Sequence, residues 1–351
     1  MLNKLLITFV VIINNFFLLY AYSDDQINFD VSQIEILEGG NKIIGKKRGT
    51  ITTNDGVIIS ADEFEYDKIK NVLKANGNIT VNDEVNNYII NSENILYLKD
   101  QEKIQIKGKS SSLIFSNYNF KSEDIIILRN KLILEANKPT VIIDKKNQTL
   151  YEIDKLSYSI KDEVLKGEKI FINTKFNQPF SDKYFFKNAI FNLKNQSYIA
   201  KDIDINLKKD IFGNKKNDPR FKGISSSSKN GVTTIDKGIF TSCKKSDKCP
   251  PWSVQAKKIT YDKNKKQVLY DSALIKVYDI PVMYFPKFFH PGPTVKRQSG
   301  FLVPHINNSN ILGSSLQLPY FHVLSDNKDL TFKPTFFDKD ILMIQNEYRQ
   351  Q

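Results

Sequence analysis

From Ala61 onward, apolar and polar residues alternate with a period of two, the signature of strands with one buried face. Ala61-Asp-Glu-Phe64-Glu-Tyr66 alternates in this way. After a turn, Leu73-Lys-Ala75-Asn-Gly77-Asn-Ile79-Thr-Val81 follows. The same two-strand unit returns as Ser92–Tyr97 with Ile104–Gly108, as Ile125–Ile127 with Leu132–Ala136, and as Leu156–Tyr158 with Leu165–Gly167. Weaker copies start at Ile190 and Ile259. The anchors Phe64, Ile95, Ile125, Leu156 and Ile190 recur 30–34 residues apart, and Ile259 follows after 69. No run of helical period interrupts them. The pattern predicts an all-β chain whose residues 55–280 form one domain of two-strand repeats of about 31 residues.

Residues 208–230, with GNKKNDPRFKGISSSSKN, break the rhythm and are expected to form a loop or insertion. Across 281–299, Pro281, Pro286, Pro291 and Pro293 are interleaved with Tyr284, Phe285, Phe288 and Phe289. Proline removes ladder donors, and aromatic residues suit a membrane interface, so this stretch reads as a joint between two environments.

From Gly300 the character changes. Leu316, Leu318 and Tyr320 alternate with Ser315, Gln317 and Pro319, and Leu330 and Phe332 alternate with Thr331 and Lys333. One apolar and one polar face per strand fits a transmembrane barrel with a polar lumen. Residues 300–351 hold three or four such strands, whereas a closed barrel needs about eight. The expectation is that the chain carries the first strands of a barrel.

Charge and targeting narrow the setting. Residues 1–23 have a short basic n-region, an apolar run from Leu5 to Tyr20 and Ala21-Tyr22-Ser23, the pattern of a secretion signal. Residues 24–54 form a polar lead-in, in which Gly40–Lys47 approaches a phosphate loop but has Lys47 where Ser or Thr is required. The net charge of +12 suits an anionic membrane surface or lysine-decorated solvent faces. Export and the lack of a recognition-helix motif argue against nucleic acid as a partner.

Catalytic chemistry is missing from the pattern. There is no Gly-x-Ser-x-Gly elbow, and His290, His305 and His322 lie on separate strands away from the two cysteines. Neither an enzyme nor a cofactor is expected. Cys243 and Cys249 sit six residues apart in a loop-like segment, where an oxidising compartment favours a local bond, with free or intermolecular thiols the alternative. Alternation places Phe64, Tyr66, Leu73, Ile95, Tyr97, Ile104, Leu134, Leu156, Tyr158 and Leu165 on one face. That face is either an ordinary packed core or an apolar groove that holds an acyl chain.

Several ordered motifs carry a resemblance. Thr241-Ser242-Cys243, Pro251-Trp252, Asp279–Pro286, Arg297–Pro304 and Leu318-Pro319-Tyr320 together resemble the LptD/OstA family of lipopolysaccharide-assembly outer-membrane proteins. The likeness runs loosely over about residues 60–350 and specifically from Cys243 onward. It implies a periplasmic OstA-type β-jellyroll whose interior carries lipopolysaccharide, stacked edge to edge by β-augmentation with a periplasmic jellyroll bridge protein. It also implies an outer-membrane barrel, filled by a plug lipoprotein, that passes lipid to the outer leaflet. Pro304 and Pro319 match family prolines that weaken the seam through which lipid leaves sideways. In the family, cysteines of the soluble domain can bond to cysteines near the barrel's end, and this sequence has no such partners. Two rival readings are a soluble lipid-carrying bridge module and a structural envelope β-protein with a dry core.

Overall fold

The computed structural model describes residues 27–351 apart from 55, 110, 179–180, 210, 212–215, 247–249, 293–294, 296 and 339. The expected signal segment, Cys249 and Pro293 lie outside the described residues. The chain is all-β and divides into two compact units. Unit 1 holds residues 27–147 and Asp154–Lys161; unit 2 holds Gln148–Ile153 and Asp162–Gln351.

Unit 1 is built from β1 (Asn28–Leu37), β2 (Lys42–Thr52), β3 (Val57–Ala61), β4 (Glu63–Asp67), β5 (Val72–Asp83), β6 (Tyr88–Leu98) and β7 (Lys103–Lys107). β8 (Ser112–Phe115), β9 (Tyr118–Ser122), β10 (Asp124–Leu128), β11 (Ile133–Ala136), β12 (Thr140–Asp144) and part of β13 (Thr149–Ser159) complete it. Every pairing is antiparallel, and the strands form two arms. β4, β7, β10 and β11 lie in one arm; β3, β8, β9 and β12 lie in the other. β2, β5 and β6 are long enough to serve both. The change of arm in β5 falls at a register shift between Asn76 and Ile79, where Gly77 has φ 75°. A Cβ on Gly77 would meet Asp62 Oδ2 at 2.6 Å, so both the turn and the contact require glycine there.

The stretch read as a polar lead-in supplies β1 and β2. Its polarity concealed them because β1 is an edge strand, paired only with β2 among the described residues and burying little.

Unit 2 continues with β14 (Val164–Thr174), β15 (Lys183–Asn192), β16 (Ser197–Asn206), β17 (Arg220–Lys229), β18 (Val232–Thr241), β19 (Trp252–Asp262), β20 (Gln267–Val277) and β21 (Ile280–Pro291). Each pairs antiparallel with the next. At mid-length the ladders skip at a common height, and Lys169, Asp202, Lys237 and Ser272 there take left-handed φ of 47–52°. These four lie 33–35 residues apart, so the repeat includes a kink as well as strands.

Two expectations are corrected here. Within the segment 208–230 expected as a loop, Arg220–Lys229 form strand β17. Its serines form hydroxyl contacts along neighbouring strands: Ser226 Oγ to Tyr198 Oη at 3.1 Å, Ser227 Oγ to Thr234 Oγ1 at 2.9 Å, and Thr233 Oγ1 donating to Ser228 Oγ at 3.0 Å. The 69-residue gap between anchors therefore holds three strands, of which β17 is rich in polar side chains. The Pro/aromatic joint begins as β21, fully paired with β20, rather than as a break. Pro281 follows a register shift and Pro286 sits where the ladder skips, and an edge strand tolerates both missing donors.

Last come β22 (Gly300–Phe301), β23 (His305–Ser309), β24 (Gly313–Gln317), β25 (Tyr320–Ser325), β26 (Lys328–Phe337) and β27 (Leu342–Gln350). β22 pairs β25, β23 pairs β24, β26 pairs both β24 and β25, and β27 pairs β26. In this sheet polarity is inverted. Asp329, Thr331 and Thr335 on β26 are buried, while Phe332 and Phe336, each next to a buried threonine, are exposed. Ile306, Leu316, Phe336 and Leu342 form one exposed apolar row across four strands.

Candidate functional site

Nine of the ten residues placed on one face by alternation come together in unit 1 as two neighbouring cross-strand rows. Tyr66, Leu73, Tyr97, Ile104, Ile127, Leu134 and Tyr158 are successive partners in one row. Phe64, Ala75, Ile95, Ile106 and Ile125 form the second, and Ala136 pairs Leu156 at its far side. All are less than 9 % exposed. Leu165 is buried in unit 2, opposite Phe191.

The opposing arm contributes Ile51, Ile59, Val81, Ile90, Leu113, Phe120 and Ile142, again as successive partners and all buried. The anchor spacing tracks one arm only, so this row escaped the sequence reading. Its signal is the second alternation in each repeat, such as Ile79-Thr-Val81 and Leu113-Ile-Phe115. The arms meet through Phe120 and Tyr158, whose ring centroids are 5.3 Å apart. A void of only about 10 Å³ is left among Val57, Ile59, Val81, Ile95, Tyr97 and Ile104. That is about the room of one water, too little at this place for an acyl chain.

Arg129 also borders that void, with its side chain only 8 % exposed. Its guanidinium pairs with Glu102 at 2.9 Å and Asp83 at 3.4 Å, and it lies over the Tyr97 ring at 5.9 Å. It also donates to Tyr97 Oη at 3.0 Å. Burying a charge requires such compensation. A lone arginine in a turn between strands gives no sequence signal of this role.

β1 pairs only with β2 among the described residues and exposes Ile34, Ile36 and Leu37. β21 pairs only with β20 among the described residues and exposes Ile280, Val282, Met283, Tyr284 and Phe289. Inward from it, Tyr270 stacks on Phe288 at 4.6 Å and contacts His290 Nε2 through its hydroxyl at 3.0 Å.

The motif residues at the end of β18 meet those at the start of β19. Thr241 Oγ1 donates to the Trp252 carbonyl at 2.7 Å and accepts the Cys243 N–H at 3.2 Å. Cys243 is half-buried, and its Sγ lies 3.6 Å from the same carbonyl. Its expected partner Cys249 is not among the described residues, and the bond stands as a proposal.

Pro304 and Pro319 lie side by side in the last sheet, but between strand segments rather than inside them. Pro304 separates β22 from β23, and Pro319 separates β24 from β25. Across this double gap, the Leu302 N–H donates to the Pro319 carbonyl at 2.8 Å. β26 runs past it unbroken, and the Pro334 carbonyl accepts the Leu318 N–H at 3.0 Å. Each missing N–H ends a ladder, which is why the two short interruptions coincide.

Among the described residues, no helix is long and apolar enough to cross a membrane, which says nothing of crossing by strands. Two-armed ladders closed on an apolar interior define an all-β protein of the jellyroll class. No family model matches the chain. It is 30 % identical over 115 residues to the LPS-assembly protein LptD of Legionella pneumophila strain Paris, a match covering 33 % of this chain and 13 % of that protein. It is 28 % identical over 119 residues to the LPS-assembly protein LptD of Polaromonas sp. strain JS666, covering 33 % and 14 %. With that of Yersinia enterocolitica serotype O:8 it shares 32 % identity over 120 residues, covering 34 % and 15 %. The matched third of the chain is thus similar to LPS-assembly proteins LptD, and it spans about one seventh of these relatives' length.

Proposed function

We propose that the protein transports lipopolysaccharide to the outer leaflet of the outer membrane. In this reading the two-armed domain lies in the periplasm and receives lipid from a bridge protein of similar fold. The β1 edge, with its exposed Ile34 and Ile36, supports docking of that bridge by β-augmentation. Acyl chains travel between the arms along the Tyr66–Tyr158 and Phe64–Ile125 rows. The strands after Gly300 belong to a membrane barrel that houses a plug lipoprotein, and the paired gaps at Pro304 and Pro319 weaken its seam. The similarity to proteins named LPS-assembly protein LptD supports this route. No step in it needs an enzyme or a cofactor, and the energy for transport comes from elsewhere.

The observation that carries the reading is the reversal of side-chain polarity along the chain. In unit 1 the apolar rows face inward; after Gly300 polar Thr331 and Thr335 are buried while Leu316, Phe332 and Phe336 are exposed. In water the second pattern would leave an apolar sheet wet, whereas against lipid it is the stable one. Arginine at Leu316 and Phe336 tests this. Each change should disfavour insertion by about 2–4 kcal/mol near the bilayer centre. The expected result is loss from the outer-membrane fraction while the two-armed domain stays folded. Unchanged membrane recovery would overturn the reading.

The closed interior favours one rival, a structural envelope protein with a dry core. Saturable binding of a fluorescent lipid A analogue supports transport, and its absence supports the rival.

A further inference from the structure

Where β14, β15, β16 and β17 end on one side of unit 2, a cleft of about 530 Å³ opens. Four lysines line it, Lys183, Lys208, Lys209 and Lys245, against one carboxylate, Asp218, a net of +3. Asp218 is already engaged by the Lys209 ammonium at 3.2 Å and the Lys245 backbone N–H at 2.9 Å. The neighbouring Asp182 accepts the Lys208 backbone N–H at 2.8 Å, which fixes the loop that carries two of the lysines. Asn173 accepts a hydrogen bond from Ser181 through Oδ1 at 2.5 Å, so its amide nitrogen is left as a donor at the same wall.

We infer that this cleft binds a phosphorylated saccharide through its phosphoryl oxygens. Its volume is that of a small-molecule site. Its cations outnumber its carboxylates, and lysine ammonium groups recognise phosphate as point charges. Its four lysines set it apart from the apolar rows of unit 1. The same chemistry could come from the head group of a lipid in transit or from free phosphate. The head-group source rests on the transport reading above; the anion site itself does not.

Calorimetry on the detergent-purified full chain separates these cases with three probes: a bisphosphorylated glucosamine disaccharide without acyl chains, its unphosphorylated form, and inorganic phosphate. The bisphosphorylated disaccharide is expected to bind saturably and the unphosphorylated one not at all. Lys183→Gln with Lys245→Gln should weaken binding at least about tenfold, and Lys183→Arg should retain it. Binding should also weaken as salt rises from about 50 to about 300 mM. Inorganic phosphate binding as tightly as the disaccharide would assign the cleft to free phosphate and support the anion chemistry alone. Saturable binding retained in Tyr97→Arg, whose interior is blocked, separates this site from the lipid path. No saturable binding by either phosphorylated probe, or binding unchanged in the double glutamine variant, overturns the inference.

Discussion

Restoring the backbone donors at Pro304 and Pro319 should close the seam. The first of the last-sheet strands is held to the second by two pairs in β22–β25 and five in β23–β24, with residues 302–304 opposite 318–319 left out of the ladder. Alanine at both positions supplies two N–H groups to this gap. A net hydrogen bond contributes about 0.5–1.5 kcal/mol, so two would stabilise the closed form by roughly 1–3 kcal/mol if both find carbonyls. At about 1.4 kcal/mol per tenfold, the open population would fall by about five- to more than a hundredfold. Cells relying on Pro304→Ala with Pro319→Ala should hold normal amounts of the protein yet show less lipopolysaccharide by surface labelling. The double change should exceed either single one. Normal surface lipid at normal protein level would refute the reasoning, and the prolines would then only shape strand ends.

Three further outcomes follow from the geometry. Burial holds the His290 imidazole below its ordinary value of 6.5, partly opposed by its contact with the Pro291 carbonyl. The unfolded chain therefore takes the proton first as pH falls through about 6.5. Stability is full above that pH and declines below it, and His290→Gln should flatten the urea-midpoint profile between about pH 7.5 and 5. A Cβ at Gly223 would lie 2.4 Å from Ile235 Cγ2, a stiff β-branched methyl, so Gly223→Ala should destabilise unit 2 by about 1–3 kcal/mol in denaturant melts. Gly300→Ala, with no atom within 4 Å, is the silent control. Non-reducing peptide mapping of exported protein should join Cys243 to Cys249, and two free thiols or a bond to another chain would exclude the local pair.

The all-β class and one arm of unit 1 were legible because each buried row repeats with the chain's own period. Tyr66, Tyr97, Ile127 and Tyr158 occupy equivalent places in successive repeats, and register turns that spacing into contact. What failed to show was structure held by polar atoms. β17 looked like a loop because hydroxyls such as Ser226 and Ser227 replace apolar side chains along it. β1 looked like a lead-in because an edge strand needs few buried residues. The kinks at Lys169, Asp202, Lys237 and Ser272 share a conformation but are formed by three residue types. Arg129 and the lysine cleft depend on long-range pairing, which no local pattern encodes. The prolines were visible as motif positions, whereas their coincidence as neighbouring gaps required the register of β22–β26.

The most direct measurement of lipid passage is site-specific photocrosslinking in growing cells. A benzophenone amino acid at Tyr97 or Tyr158, 4 % and 0 % exposed, reports the interior; the same group at Leu96 or Ser157 reports the opposite face of the same strands. Lipopolysaccharide adducts are expected at Tyr97 and Tyr158 and not at Leu96 or Ser157. Folded protein with no adduct at the interior positions, or with equal adducts on both faces, would contradict transport between the arms.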